Sequence, residues 1–89
     1  MKKARELERI VKGFANHRRL DIMELLMKTP ELSVMEISDT LKINFKTGSE
    51  HIRRLAIAGL VLKRSEDKNV RHKLSDRGKV ILTFLRTLE

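Results

Sequence analysis

Apolar positions recur at helical spacing from the start of the chain. Ala4, Leu7, Val11 and Phe14 form one stripe with Ile10 beside it, predicting a first helix over residues 2–15. Asn16 is an N-cap for a second helix, because its side chain accepts from the unpaired amides of the turn that follows. Leu20, Met23, Leu26 and Met27 make the predicted inner face of that helix, with Ile22 and Leu25 on its flanks. Lys28-Thr29-Pro30 ends it, since the residue before a proline is pushed out of the helical region. Ser33 and Glu36 then form an S-x-x-E capping box, opening a short helix over residues 34–41.

Lys42 and Ile43 lead to Asn44, a further N-cap, and to a helix over residues 45–58 whose inner face is Gly48, Ile52 and Leu55. Gly59 stops it by tolerating the left-handed conformation. Two short helices joined by so brief a turn have the organisation of a helix-turn-helix. The period then changes. LVLKRSE (residues 60–66) and NVRHKLS (residues 69–75) are partly alternating runs around Asp67-Lys68-Asn69, which predicts a hairpin. Val70, His72 and Leu74 lie on one side of its second strand, Arg71 and Lys73 on the other. Ser75 caps a last helix over residues 76–88, with Asp76 well placed in the first turn. The predicted fold is mainly α with a small β-hairpin: a winged helix-turn-helix of four helices, a hairpin and a fifth helix. It forms a single domain over residues 1–89, with the helix-turn-helix at about 33–60 and the wing at about 61–75.

The last helix carries Val80, Ile81, Leu82, Phe84, Leu85 and Leu88, apolar around most of its circumference. Such a helix needs cover on more than one side, and a domain of 89 residues supplies little, burying only about 60% of its unfolded surface. A two-fold homodimer is therefore expected. It would be built from Leu7, Val11 and Phe14 of the first helix and Ile81, Phe84, Leu85 and Leu88 of the last. Two such protomers would set equivalent helices about 34–36 Å apart, one turn of DNA.

Charge narrows the partner. Twenty Lys and Arg against twelve Asp and Glu leave +8, and residues 46–77 hold nine basic side chains against four acidic ones, or +5 of that excess. A basic surface of this kind favours a polyanion, nucleic acid before membrane. With Gly48, Ile52 and Leu55 turned inward, helix 45–58 presents Lys46, Ser49, Glu50 and Arg53 opposite, with Thr47, His51 and Arg54 on its flanks. N-terminal residues of a recognition helix reach base edges, and later or flanking ones reach phosphate. Lys46, Ser49 and Glu50 are thus assigned to base readout, Lys46 donating to guanine and Glu50 accepting from cytosine. Thr47, Arg53 and Arg54 are assigned to phosphate. Glu50 has a second reading, a helix-surface pair with Arg53 or Arg54. In the wing, Arg64, Lys68, Arg71 and Lys73 would lie beside the backbone or minor groove. Their competing role is a charged edge that blocks strand pairing.

Other chemistries find less support. There is no Cys, which removes disulfides, thiol catalysis and thiolate metal sites. His17, His51 and His72 share no ligand spacing, and the acidic residues form no general acid and base pair. No phosphate-cradling glycine loop is present. An enzyme, a cofactor and a metal site are not expected. Three Phe without Tyr or Trp argue against single-strand RNA stacking. A protein-interaction or assembly module is the alternative to duplex DNA binding, although such modules often lose the basic face. No stretch resembles a signal peptide or reaches transmembrane length, so a cytoplasmic location is expected.

Four segments in order resemble the ArsR-type regulators. NHRRLDIMELL (residues 16–26) resembles their N-P-x-R-L-x-I-L-x-L-L segment, and residues 32–41 look like their next helix. SEHIRRL (residues 49–55) with AGLV (residues 58–61) is similar to their S-x-H-[LI]-x-x-L and A-G-L-[VI] elements. LSDRGK (residues 74–79) is similar to the L-[ST]-x-x-G-[KR] entry to the last helix, shared with MarR-type proteins. The resemblance covers about residues 7–88. It implies a homodimer on palindromic operator DNA that represses transcription, often with relief by a metal or other signal. The metal residues of the family are not matched: Ser33 and Met35 stand at the Cys-x-Cys positions, and the last helix has no His. Gly48 replaces a small apolar residue, and its cost of about 0.5–1 kcal/mol inside a helix predicts close helix–helix approach there.

Overall fold

The structure, a computed structural model, describes residue 1 and residues 3–89. It contains α1 (Ala4–Phe14), α2 (His17–Lys28), α3 (Val34–Leu41), α4 (Phe45–Ile57), β1 (Val61–Glu66), β2 (Asn69–Leu74) and α5 (Asp76–Arg86), the winged helix-turn-helix order. The start of the first helix expected at Lys2 lies outside the described residues. The last helix ends at Arg86, two residues before its predicted end.

Local chemistry sets the boundaries. Asn16 Oδ1 accepts from the amides of Arg18 (2.9 Å) and Arg19 (3.2 Å), and Asn44 Oδ1 from those of Lys46 (2.8 Å) and Thr47 (3.4 Å). Ser33 and Glu36 close both halves of the capping box at 3.1 and 2.9 Å. Ser75 Oγ accepts from Gly78 N and donates to the Gly59 carbonyl, fastening α5 to the end of α4. Each cap satisfies amides that would otherwise be orphaned. Between α3 and α4, Lys42 takes a left-handed conformation (φ 56°), which turns the chain into Asn44. Gly59 does the same after α4 at φ 76°.

The core gathers Ile22, Met23 and Leu26 of α2, Ile37 of α3, Ile52 and Leu55 of α4, Leu60, Val61, Leu74 and Leu82. Side chains of this kind contribute about 1.5–3 kcal/mol each when fully buried. Ile22, predicted on a flank of α2, is wholly buried, whereas Leu20 and Met27 of the predicted inner face are only partly so. The reason is position: α2 packs against α3, α4, α5 and β2 at once, so its buried arc exceeds one stripe.

The wing is a two-residue hairpin with Glu66 opposite Asn69, so Asn69 belongs to the strand and not to the turn. A third short segment completes the sheet. Glu31 N donates to the His72 carbonyl (2.8 Å) and His72 N to the Leu32 carbonyl (3.0 Å). The His72 ring is buried beneath it, its Nδ1–H donating to the Leu32 carbonyl at 2.8 Å.

At Gly48 the α4 backbone packs closely against the Ser38 side chain of α3, the close approach of the two helices that the sequence suggests. A Cβ built there would collide with Ser38 Oγ and touch Ile43. Ser38 Oγ is itself buried without a hydrogen-bond partner.

Candidate nucleic-acid interface

Gly48, Ile52 and Leu55 are all buried, which fixes the rotation of α4 about its axis. Lys46, Thr47, Glu50, Arg53 and Arg54 are consequently exposed, and Ser49 is half-buried. The face proposed from the sequence is one continuous surface. Asn44 at its foot orders the first turn, where Lys46 and Thr47 stand.

Electrostatics organises this face around Glu50. Arg53 grips the carboxylate with two bonds, Nε at 3.0 Å and Nη2 at 2.8 Å, while Arg54 Nε donates to it at 3.1 Å. These bonds, those from Arg53 first and those from Arg54 next, lower the Glu50 pKa to about 2. The same pairing raises that of Arg53. In the free protein Glu50 is therefore the hub of an exposed ion triplet. It accepts three hydrogen bonds, and two arginines are held ready along the helix. Exposed pairs of this kind add little stability, so their main consequence is orientation.

The wing residues divide. Arg64 and Arg71 sit directly opposite one another on β1 and β2, where like charges repel. Carboxylates resolve the conflict: Arg64 pairs with Glu31 (3.1 Å) and Glu66 (3.4 Å), and Arg71 with Glu36 (3.0 Å) and Glu66 (3.4 Å). Arg71 thereby ties the wing to the capping-box glutamate at the head of α3. Bonds from Ser33, with Arg71 adding to them, lower the Glu36 pKa. Lys68 at the hairpin tip is exposed, as are Lys63 and Lys73 further down the two strands.

The predicted dimer residues also separate. Leu7, Val11, Phe84 (57% exposed) and Leu88 (68%) present apolar surface to solvent, joined by Val80 (68%), which was not singled out. Leu85 is half-buried. Phe14 and Ile81 turn toward the protomer's own core and are partly buried against it. Ile57, at the end of α4, is 71% exposed beside a groove of about 560 Å³ between α1, α4 and the start of α5.

Two residues given no contact role in the sequence meet at the flank of α4. Arg19 Nε donates to His51 Nδ1 (3.1 Å), while its Nη1 donates to the carbonyls of Lys12 and Gly13 at 3.0 Å each. Burial, with the Arg19 and Arg18 charges behind it, lowers the His51 pKa and keeps the ring neutral. A separation of 32 residues hides this contact from any local pattern. Among the described residues, no three His, Asp or Glu side chains converge as a metal site, and no helix is long and apolar enough to cross a membrane.

Known proteins share this arrangement. The family model of bacterial regulatory proteins of the arsR family matches residues 16–63. No protein of curated function matches the chain. The fold superposes on the homodimeric winged helix-turn-helix DNA-binding domain of Mb0332, a possible ArsR-family transcriptional regulator from Mycobacterium bovis. The TM-score is 0.87 at 26% identity, covering 96% of this chain and 79% of that one. HlyU from Vibrio cholerae is 34% identical with a TM-score of 0.82, covering 98% and 95%. The transcriptional repressor BigR from Xylella fastidiosa is 25% identical at 0.80, covering 98% and 89%. With its helix-turn-helix inside the matched segment and its wing and outer helices shared with these structures, the chain belongs to the ArsR family of winged helix-turn-helix transcriptional regulators.

Proposed function

We propose that the chain is a homodimeric, sequence-specific repressor that binds a palindromic duplex operator, reading the major groove with α4. The observation that carries this reading is the division of α4. Its Gly48, Ile52 and Leu55 stripe is consumed by the core, and the polar residues on the face left outside are Lys46, Thr47, Ser49, Glu50, Arg53 and Arg54. Lys46, Ser49 and Glu50 read base edges, while Thr47, Arg53 and Arg54 hold phosphates. Lys68 and Lys73 of the wing lie along the backbone. Arg64 and Arg71 join them when a phosphate replaces the carboxylates they hold in the free protein.

Dimerisation is supported by Leu7, Val11 and Phe84, apolar side chains exposed on the two outer helices, with Leu88 just past the end of α5, and by the homodimeric form of the Mycobacterium bovis relative. Repression follows BigR, which is described as a transcriptional repressor.

Fluorescence anisotropy on duplexes carrying inverted repeats, over several salt concentrations, tests the reading. Log K is expected to fall against log salt with a slope of about −0.9 per phosphate neutralised, and sedimentation is expected to find a dimer. Absence of duplex binding at low salt overturns it.

A further inference from the structure

His51 lies on the flank of α4, off the face assigned to base readout, and its environment is built with unusual care. Arg19 is the organising group. Its guanidinium always carries its protons, so the ring nitrogen that faces it, Nδ1, must accept. The imidazole proton is consequently confined to Nε2. That nitrogen meets no protein acceptor among the described residues and is not among the buried unpaired atoms. A neutral N–H is thus held at the surface by an arginine that is itself anchored to two carbonyls at the end of α1.

The surroundings are positive. His17 and Arg18 stand exposed in the first turn of α2, and Arg18, Arg19 and His17 all act against protonation of His51. Arg54 opposes the charge of Arg19 from the α4 side. Glu50 is the carboxylate that acts on His51 and Arg19, and Arg53 and Arg54 already hold it. A surface that keeps one neutral donor in place within a collar of cations suits an oxygen-rich anion of low basicity.

We infer that His51 Nε2–H and Arg18 form a seat for one DNA backbone phosphate at the junction of α2 and α4, with Arg19 as the residue that positions the imidazole. This rests on the duplex-binding reading and extends it, placing a contact beyond the groove face and tying the grip on the backbone to α1. His51 supplies a neutral hydrogen bond and Arg18 supplies charge. The two contributions are separable, because only a cation releases counterions and changes the salt dependence.

Anisotropy titrations of the full chain on one duplex test the seat. His51→Asn keeps an acceptor where Nδ1 stands but has no atom reaching outward, whereas His51→Gln keeps an outward N–H. We expect His51→Asn to weaken binding about tenfold with the salt slope of the wild type, and His51→Gln to recover to within about threefold, a contact to a phosphate being a neutral hydrogen bond here. Arg18→Ala is expected to lower the slope by about 0.9. Arg18 is exposed, so this variant reports even where a His51 substitution perturbs folding. Wild-type affinity in His51→Asn, equal losses in both His51 variants, or an unchanged slope in Arg18→Ala each overturn the seat. Failure of the wild type to bind duplex overturns the duplex-binding reading instead.

Discussion

α4 and α5 are amphipathic helices of thirteen and eleven residues, and they leave opposite remainders at the surface. The Gly48–Ile52–Leu55 stripe of α4 is fully consumed by the core, and between the exposed Phe45 and Ile57 at its ends the outer face is polar, with Lys46, Arg53 and Arg54 among its exposed residues. α5 commits Leu82 and Gly78 to the core and leaves Val80 and Phe84 in solvent, with Leu88 exposed just beyond its end. The middle of one helix is finished as a packing element and open as a charged surface; the other is unfinished along its length. Each remainder names its partner by chemistry, a polyanion in the first case and a second apolar surface in the second.

The sharpest way to break this contrast is to charge the apolar remainder. Phe84→Asp is expected to convert the dimer to a monomer in sedimentation equilibrium. It should also weaken duplex binding on the order of 10²-fold, since a second half-site contact then no longer acts at high effective concentration. The protomer should keep its Tm within a few degrees, because Phe84 lies outside the core. A dimeric Phe84→Asp protein would remove α5 from the interface.

Changes on α4 should act on selectivity instead. Lys46→Ala is expected to alter preference at one base pair by about 1–3 kcal/mol, read by competition with single-position operator variants. Arg53→Ala should weaken all sequences alike and lower the salt slope by about 0.9. Uniform weakening in both variants would show that α4 grips DNA without reading it.

A smaller effect tests the packing that rotates α4. Gly48→Ala places a methyl group against Ser38, and a loss of about 1 kcal/mol in denaturant unfolding is expected. Removing the Ser38 hydroxyl in the same protein should restore it. A Gly48→Ala variant more stable than the wild type would show that glycine is not required by close approach.

The smallest effect concerns pH. Burial, the largest influence, lowers the His72 pKa from 6.5; the Leu32 carbonyl pulls the other way. As pH falls through 6.5 the unfolded chain takes up a proton that the native ring still refuses. The stability of the neutral ring is therefore complete above this range and is lost as pH falls through the native pKa. Tm should drop between about pH 7.5 and pH 5, less steeply in His72→Gln. Equal slopes would place the acid sensitivity elsewhere.

Much of the fold was legible because its punctuation is local. Asn16, Ser33 with Glu36, Asn44, Ser75 and Gly59 act within a few residues of themselves, and each does in the structure what its type and position imply. The composition of the α4 surface was legible for a related reason, since a helix whose inward stripe is known has a known outer face. Partners were not. Alternation puts Arg64 and Arg71 on one face of the hairpin but cannot say that Glu31 and Glu36 wait there. Nor does periodicity report that Glu50 is held from two sides, although spacing named both candidates.

By itself, then, the sequence determined where elements begin and end, which face of α4 is free, and that charge gathers in the second half of the chain. All of these follow from interactions within one turn or one strand. Tertiary structure alone decided that Ile22 is central, that Leu32 pairs with His72, and that Arg19 of α2 links the end of α1 to His51. Those outcomes join residues 32 to 40 positions apart or depend on how many neighbours enclose one helix. They are set by how the helices pack, which no local period encodes.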